Sequence, residues 1–151
     1  MIKVGDKSFT AEQLQEAAQR TANAYADIAN KIMGCNIPIP VPLTFDLCDT
    51  KPKWAGAAWS TMKIGINMIL FEDNVSEMLN NTMPHEIGHL VVYDKFNHKG
   101  ADTQGHGAEW QEVMRRLGRK PTKTHTLDVT RAVAHYKLRK KSKSKKVEAD
   151  L

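Results

Sequence analysis

The chain has 151 residues, 41% of them hydrophobic and 26% charged, and a formal net charge of +5. That suits one domain with a sizeable core, and no apolar run approaches the roughly 18–20 residues of a membrane span. The start, Met1-Ile2-Lys3-Val4-Gly5-Asp6, lacks the apolar stretch of a secretory signal, and Cys35 and Cys48 are too few for a disulfide scaffold. These features predict a reduced, cytoplasmic protein with no membrane partner.

Residues 1–9 read as a lead-in with a turn at Gly5-Asp6. Thr10, with Gln13 three residues on, forms a capping box. Leu14, Ala18, Thr21, Tyr25, Ile28 and Ile32 then follow helical spacing, which predicts a long amphipathic helix over about 11–33 with Gly34 as its C-terminal cap. The prolines of Ile37-Pro38-Ile39-Pro40-Val41-Pro42 force an extended segment. Strands are expected at 43–47, 54–60 and 63–70, the last two as a hairpin through Thr61-Met62. Gly56 and Gly65 leave bare backbone on these strands. That suits an added substrate strand along 63–70, or, for either glycine singly, a bulge or a packing contact with a helix.

A helix over about 76–95 follows, capped by Asp73 or Ser76. It holds His85-Glu86-Ile87-Gly88-His89. Residues four apart stand one turn above each other on one helical face, so His85 and His89 can share a metal ion, and Glu86 can reach a water that the metal polarises. Leu90-Val91-Val92 places the same helix in the core. Pro84 removes a helical hydrogen bond and clashes one turn back. Either the helix starts at Thr82 or it kinks just before His85. A polar loop runs over 97–105, then a helix from Gly107 to about Leu117 with Trp110, Val113 and Met114 inward, ended by Gly118. A last helix is expected over about 127–138.

A catalytic metal site needs a third protein ligand. His98 lies nine residues past His89, about 13 Å along a continued helix, and reaches back only if the chain folds sharply. His106 sits between two glycines at a helix start. Glu109 is a further candidate. The metzincin spacing is absent, because Val92 and Lys95 stand where it needs Gly and His.

His85-Glu-Ile-Gly-His-Leu-Val-Val-Tyr93, followed by Gly105-His-Gly-Ala-Glu-Trp-Gln-Glu-Val-Met114, resembles the SprT-like family of zinc metallopeptidases, to which Spartan belongs. Ala55-Gly56-Ala57-Ala58-Trp59, Ile64-Gly65-Ile66-Asn67, Leu117-Gly118 and Thr124-His125 are similar to it as well, so the likeness runs over about 40–125. The resemblance implies an α+β, minimal zincin fold: a small antiparallel or mixed sheet of about three strands, a long N-terminal helix and a helix carrying the motif. It implies one Zn2+ held by His85, His89 and His106, with Glu86 as general base. Family members cleave proteins bound or crosslinked to DNA, with DNA as activator.

Many bacterial members carry a C-terminal zinc ribbon built on paired cysteines, whereas no cysteine follows Cys48 here. The basic stretch from Lys137 to Lys146 cannot bury a core and is expected to be a disordered tail over 137–151 beyond a peptidase domain over 1–136. With Arg115, Arg116, Arg119, Lys120 and Lys123 it could contact DNA in the ribbon's place, or serve only for solubility. The expected partners are therefore protein substrates and, through the tail, DNA, which suits a nucleoid-associated location. The rival readings are a nucleic-acid-binding module with a metal site and little or no peptidase activity, and a zinc peptidase unrelated to DNA. Tyr93, His98, His125 and Tyr136 are candidate oxyanion stabilisers.

Overall fold

The computed structural model describes residues 1–96 and 106–149, with 144–149 as backbone. The expected loop over 97–105, with His98, lies outside the described residues. The lead-in is a small hairpin: β1 (Ile2–Val4) pairs antiparallel with β2 (Lys7–Phe9) across Gly5, whose φ is +62°. Helix α1 (Ala11–Met33) starts at the expected capping box, with Thr10 accepting from the Gln13 N–H at 3.1 Å, and ends at left-handed Gly34. Its buried stripe is turned from the expected one. Leu14, Ala18, Ala22, Ala26, Ala29 and Met33 face the core, while Ile28 and Ile32 are exposed. Four alanines on one face let α1 lie close against its neighbour, so packing distance decided the stripe rather than side-chain hydrophobicity alone.

The main sheet has three strands in the order β3-β5-β4. β3 (Leu43–Thr44) runs parallel to β5 (Lys63–Ile66), and β4 (Gly56–Trp59) pairs antiparallel with β5 through the expected hairpin. The sheet is mixed and three-stranded, so the α+β class and its small sheet are as expected. The strand predicted over 63–70 is corrected twice. It is the central strand, so no substrate can add along it, and it stops at Ile66.

Asn67 stops it. Its side-chain oxygen accepts from the Leu70 N–H at 3.1 Å and caps α2 (Met68–Asp73), and its amide donates to the Pro52 and Trp54 carbonyls at 3.0 Å each. Asn67 is fully buried, so its amide depends on these partners. Asn67→Ala should destabilise the protein by about 2–4 kcal/mol, the sum of a lost cap and two lost hydrogen bonds to the 52–54 turn. In urea this appears as a lower midpoint at an unchanged m value.

After α3 (Val75–Glu77) the chain makes a π turn over Met78–Thr82 and continues as α4 (Met83–Phe96). The widened turn lies immediately before Pro84. It relieves the clash a proline makes with the carbonyl four residues back, so the helix passes the proline instead of starting there. α4 is the central element. It packs on α1, on β4 and on α5 (Ala108–Arg116). Ile87, Leu90 and Val91 are fully buried, and Asp94 accepts from the Asn36 N–H at 3.0 Å beyond the end of α1.

The last helix, α6 (Thr130–Ala149), starts later than expected and stays helical across the lysine-rich stretch. Lysine and arginine are good helix formers, so a solvated basic run can hold this conformation without a core. α6 is rooted at its first turn, where Arg131 meets Asp73, Glu72 and the Ile69 carbonyl at 2.8–3.0 Å and Ala132 is fully buried. No helix among the described residues is long and apolar enough to cross a membrane.

Candidate metal centre

His85 and His89 project from one face of α4, and His106 enters from the residue pair preceding α5. The Nε2 atom of His85 lies 3.2 Å from that of His89 and 3.0 Å from that of His106. All three donors lie within 4.8 Å of one another, and together they could hold a metal ion. The fit is close. A tetrahedral ion about 2.0–2.1 Å from each imidazole nitrogen needs those nitrogens about 3.3–3.4 Å apart. Of the other two candidate third ligands, His98 lies outside the described residues, and Glu109 is not part of this cluster. Glu109 lines a cavity of about 250 Å³ with Met33, Lys95, Phe96 and Arg116.

The cluster is braced from several sides. Trp110 of α5 is buried beneath it. Its indole N–H donates to the His85 carbonyl at 3.2 Å, and its ring lies 4.7, 5.6 and 4.8 Å from those of His85, His89 and His106, stacked on His89. Gly88 makes this possible, since a Cβ there would stand 2.9 Å from the indole nitrogen. The Gln111 amide donates to the His106 carbonyl at 3.0 Å and fixes that residue on the first turn of α5. His85 Nδ1 meets the Thr122 carbonyl at 3.2 Å. The proton therefore sits on Nδ1, and Nε2 offers its lone pair inward.

Burial sets the charge state. It lowers His85 to about 4 and His89 to about 3, helped by the neighbouring imidazoles, and lowers His106 together with the nearby Lys123 charge. Neutral imidazoles are what a metal requires. Glu86 is 5% exposed, and burial pushes its carboxyl up to about 8. Its Oε1 lies 3.7 Å from His85 Nε2. With the acid raised and the imidazole lowered, that contact is not an ion pair at neutral pH. Glu86 is held there by Gly56 of β4: a Cβ would stand 3.0 Å from the Glu86 Cγ and 3.1 Å from Thr82. Gly56 thus serves contact with a helix. At Gly65 the space is filled by Trp59, whose indole lies 2.8 Å from a built Cβ.

Of the candidate oxyanion residues, Tyr93 has its hydroxyl raised by burial and by the Glu86 charge, His125 is bonded to backbone at both ring nitrogens, and Tyr136 stacks with Lys140 on exposed α6. The roles of Gly88 and of the Thr122 carbonyl had no sequence signal beyond a small residue inside the motif and a proline-containing loop.

Comparison with known proteins gives one family. The SprT-like family model matches residues 43–133. Protein SprT of Vibrio atlanticus is 32% identical over 105 residues, 68% of this chain and 58% of its own length. Protein SprT of Yersinia pseudotuberculosis serotype IB is 29% identical over 118 residues, 77% of this chain and 65% of its own. The chain thus spans less than two thirds of these relatives. No solved structure matches it significantly.

Proposed function

The chain belongs to the SprT-like family, and on that premise we propose that it is a zinc-dependent endopeptidase of minimal zincin fold acting on proteins bound or crosslinked to DNA. The observation that carries this reading is the convergence of three imidazole Nε2 atoms beside one buried carboxylate. His85, His89 and His106 would hold the zinc, which leaves a position for water and substrate. When bound, zinc supplies Lewis acidity toward that water and toward the scissile carbonyl.

Glu86 does the proton work. One carboxylate oxygen takes a proton from the attacking water and passes it to the leaving amine nitrogen. A carboxyl raised by burial is matched to holding a proton near neutral pH. The substrate lies extended along β4, the edge strand whose first residue touches Glu86, with main-chain bonds supplying its alignment. DNA meets the exposed cations of α6, among them Lys137, Lys140, Lys141 and Lys143. Arg115, Arg116, Arg119 and Arg139 contribute less, because they are engaged with Glu112, the Ile32 carbonyl, Tyr25 and Asp49.

The test is cleavage of a DNA-binding protein with and without DNA, chelator and residues 137–151. Cleavage should stop with chelator and return with zinc. Deleting 137–151 should remove acceleration by DNA and leave basal cleavage, since Arg131 and Ala132 remain to anchor α6. Salt-sensitive DNA binding without cleavage, unchanged by Glu86→Ala, would favour a nucleic-acid-binding module. Cleavage indifferent to DNA before and after deletion would favour a peptidase with other substrates.

A further inference from the structure

We propose that His125 is a positioning residue for the metal ligand His85, acting through the backbone carbonyl of Thr122. This rests on the reading of the three histidines as a zinc site. The carbonyl that fixes the His85 tautomer belongs to the segment between α5 and α6, which has no helix or strand to hold it. Its place is only as good as its anchors.

Upstream, Gly118 at φ +73° ends α5, the Arg119 N–H bonds the Met114 carbonyl at 2.8 Å, and the Arg119 guanidinium meets Tyr25 of α1. Downstream, the anchor is His125. Its Nδ1 accepts from the Leu127 N–H at 3.1 Å, so the proton is on Nε2, which donates to the Lys53 carbonyl at 2.7 Å. The Lys53 turn is itself immobilised, because buried Asn67 holds the carbonyls of Pro52 and Trp54 on either side of it.

A continuous path results: Asn67 to the 52–54 turn, that turn to His125, three residues of backbone to Thr122, and Thr122 to His85. His125 is exposed, so packing does not explain a histidine there. Both of its ring nitrogens are used, one to shape its own segment and one to pin that segment to the turn before β4. Releasing the pin lets the Thr122 carbonyl move, and a movement of half an ångström takes a 3.2 Å contact out of hydrogen-bonding range. His85 then loses both its fixed tautomer and its fixed ring angle. Outer-shell losses of this kind weaken metal binding by about 10–100-fold.

The experiment is zinc affinity, by competition with a chelating dye, for the wild type, His125→Ala, His125→Asn and His125→Gln. Asn retains an acceptor for the Leu127 N–H but is too short to reach the Lys53 carbonyl. Gln places its amide near the Nε2 position and keeps that bond. His125→Ala and His125→Asn should bind zinc about tenfold more weakly, or worse, and His125→Gln within about threefold of the wild type. Urea unfolding of the metal-free variants accompanies the titration, and His125→Asn decides if His125→Ala does not fold. Wild-type affinity in His125→Asn, with or without lower stability, overturns the proposal. So does a His125→Gln as weak as His125→Asn, since the Lys53 bond would then not be the cause. A wild type that binds no zinc would instead overturn the zinc-site reading itself.

Discussion

Glu86→Gln should abolish cleavage, keep the metal and make the metal-free protein more stable. Loss of a general acid–base group lowers turnover by about 10²–10⁴, and among the described residues Glu86 has no carboxylate neighbour in the cluster to replace it. The gain in stability follows from burial. Glu86 ionises near 4.5 in the unfolded chain and near 8 in the folded one. A raised folded value means a contribution that is fully favourable below about pH 4.5 and lost as pH rises through about 8. Above that range the folded protein carries a desolvated carboxylate that the unfolded chain does not. Glutamine, which has no charge to desolvate, escapes the loss. At pH 7 the difference is of order 3 kcal/mol in favour of the variant. It should vanish below about pH 4.5 and narrow in the metal-loaded protein, where a nearby cation stabilises the carboxylate. Urea midpoints against pH, zinc content and a cleavage assay check the three parts. A variant that cleaves at the normal rate would remove Glu86 from the chemistry.

Local chemistry was legible in the sequence wherever one residue acts on its own neighbours. The Thr10–Gln13 box, the Gly34 cap and the His85/His89 face depend on spacings of three and four, and each stands as read. What failed depends on partners distant in the chain. Met68-Ile69-Leu70-Phe71 is an apolar run that suits a strand or a helix equally. The choice is made by Asn67, two of whose three side-chain bonds reach carbonyls in the 52–54 turn while the third caps the helix at the Leu70 N–H. β5 is central because β3, twenty residues earlier, pairs with its other side. The alanine face of α1 has low hydrophobicity and loses to Ile28 and Ile32 on any periodicity count, yet it fits closest against the core. At the site, α5 packs Trp110 against Gly88 and brings His106 beside the other two histidines, a juxtaposition that no spacing in the sequence predicts. The Thr122 carbonyl has no side-chain signature at all, so only the fold could reveal it.

The proposed third ligand carries the other large effect. His106→Ala should lower zinc affinity by well over the roughly 10–100-fold expected of an outer-shell change, because a protein donor is lost outright. Two histidines one turn apart would remain, as they do on many helices that hold no metal. Stability of the metal-free protein should change little: His106 is only partly buried at the mouth of the site, and Trp110, which anchors α5, keeps its bond to the His85 carbonyl. Glu109→Ala is the matched control. It stands three residues further along the chain, on the first turn of α5, lines the cavity against Met33 and Lys95, and is not part of the histidine cluster. It should bind zinc as the wild type does. Elemental analysis of chelator-free preparations, followed by competition titration, separates the two. Full zinc in His106→Ala with loss in Glu109→Ala would move the third ligand to the carboxylate and would require α5 to rotate about its axis. That rotation would pull Trp110 off His89, so the near-ultraviolet circular dichroism of the indole should change on zinc addition in that case. It should stay constant if His106 is the ligand, since the indole already lies stacked under His89.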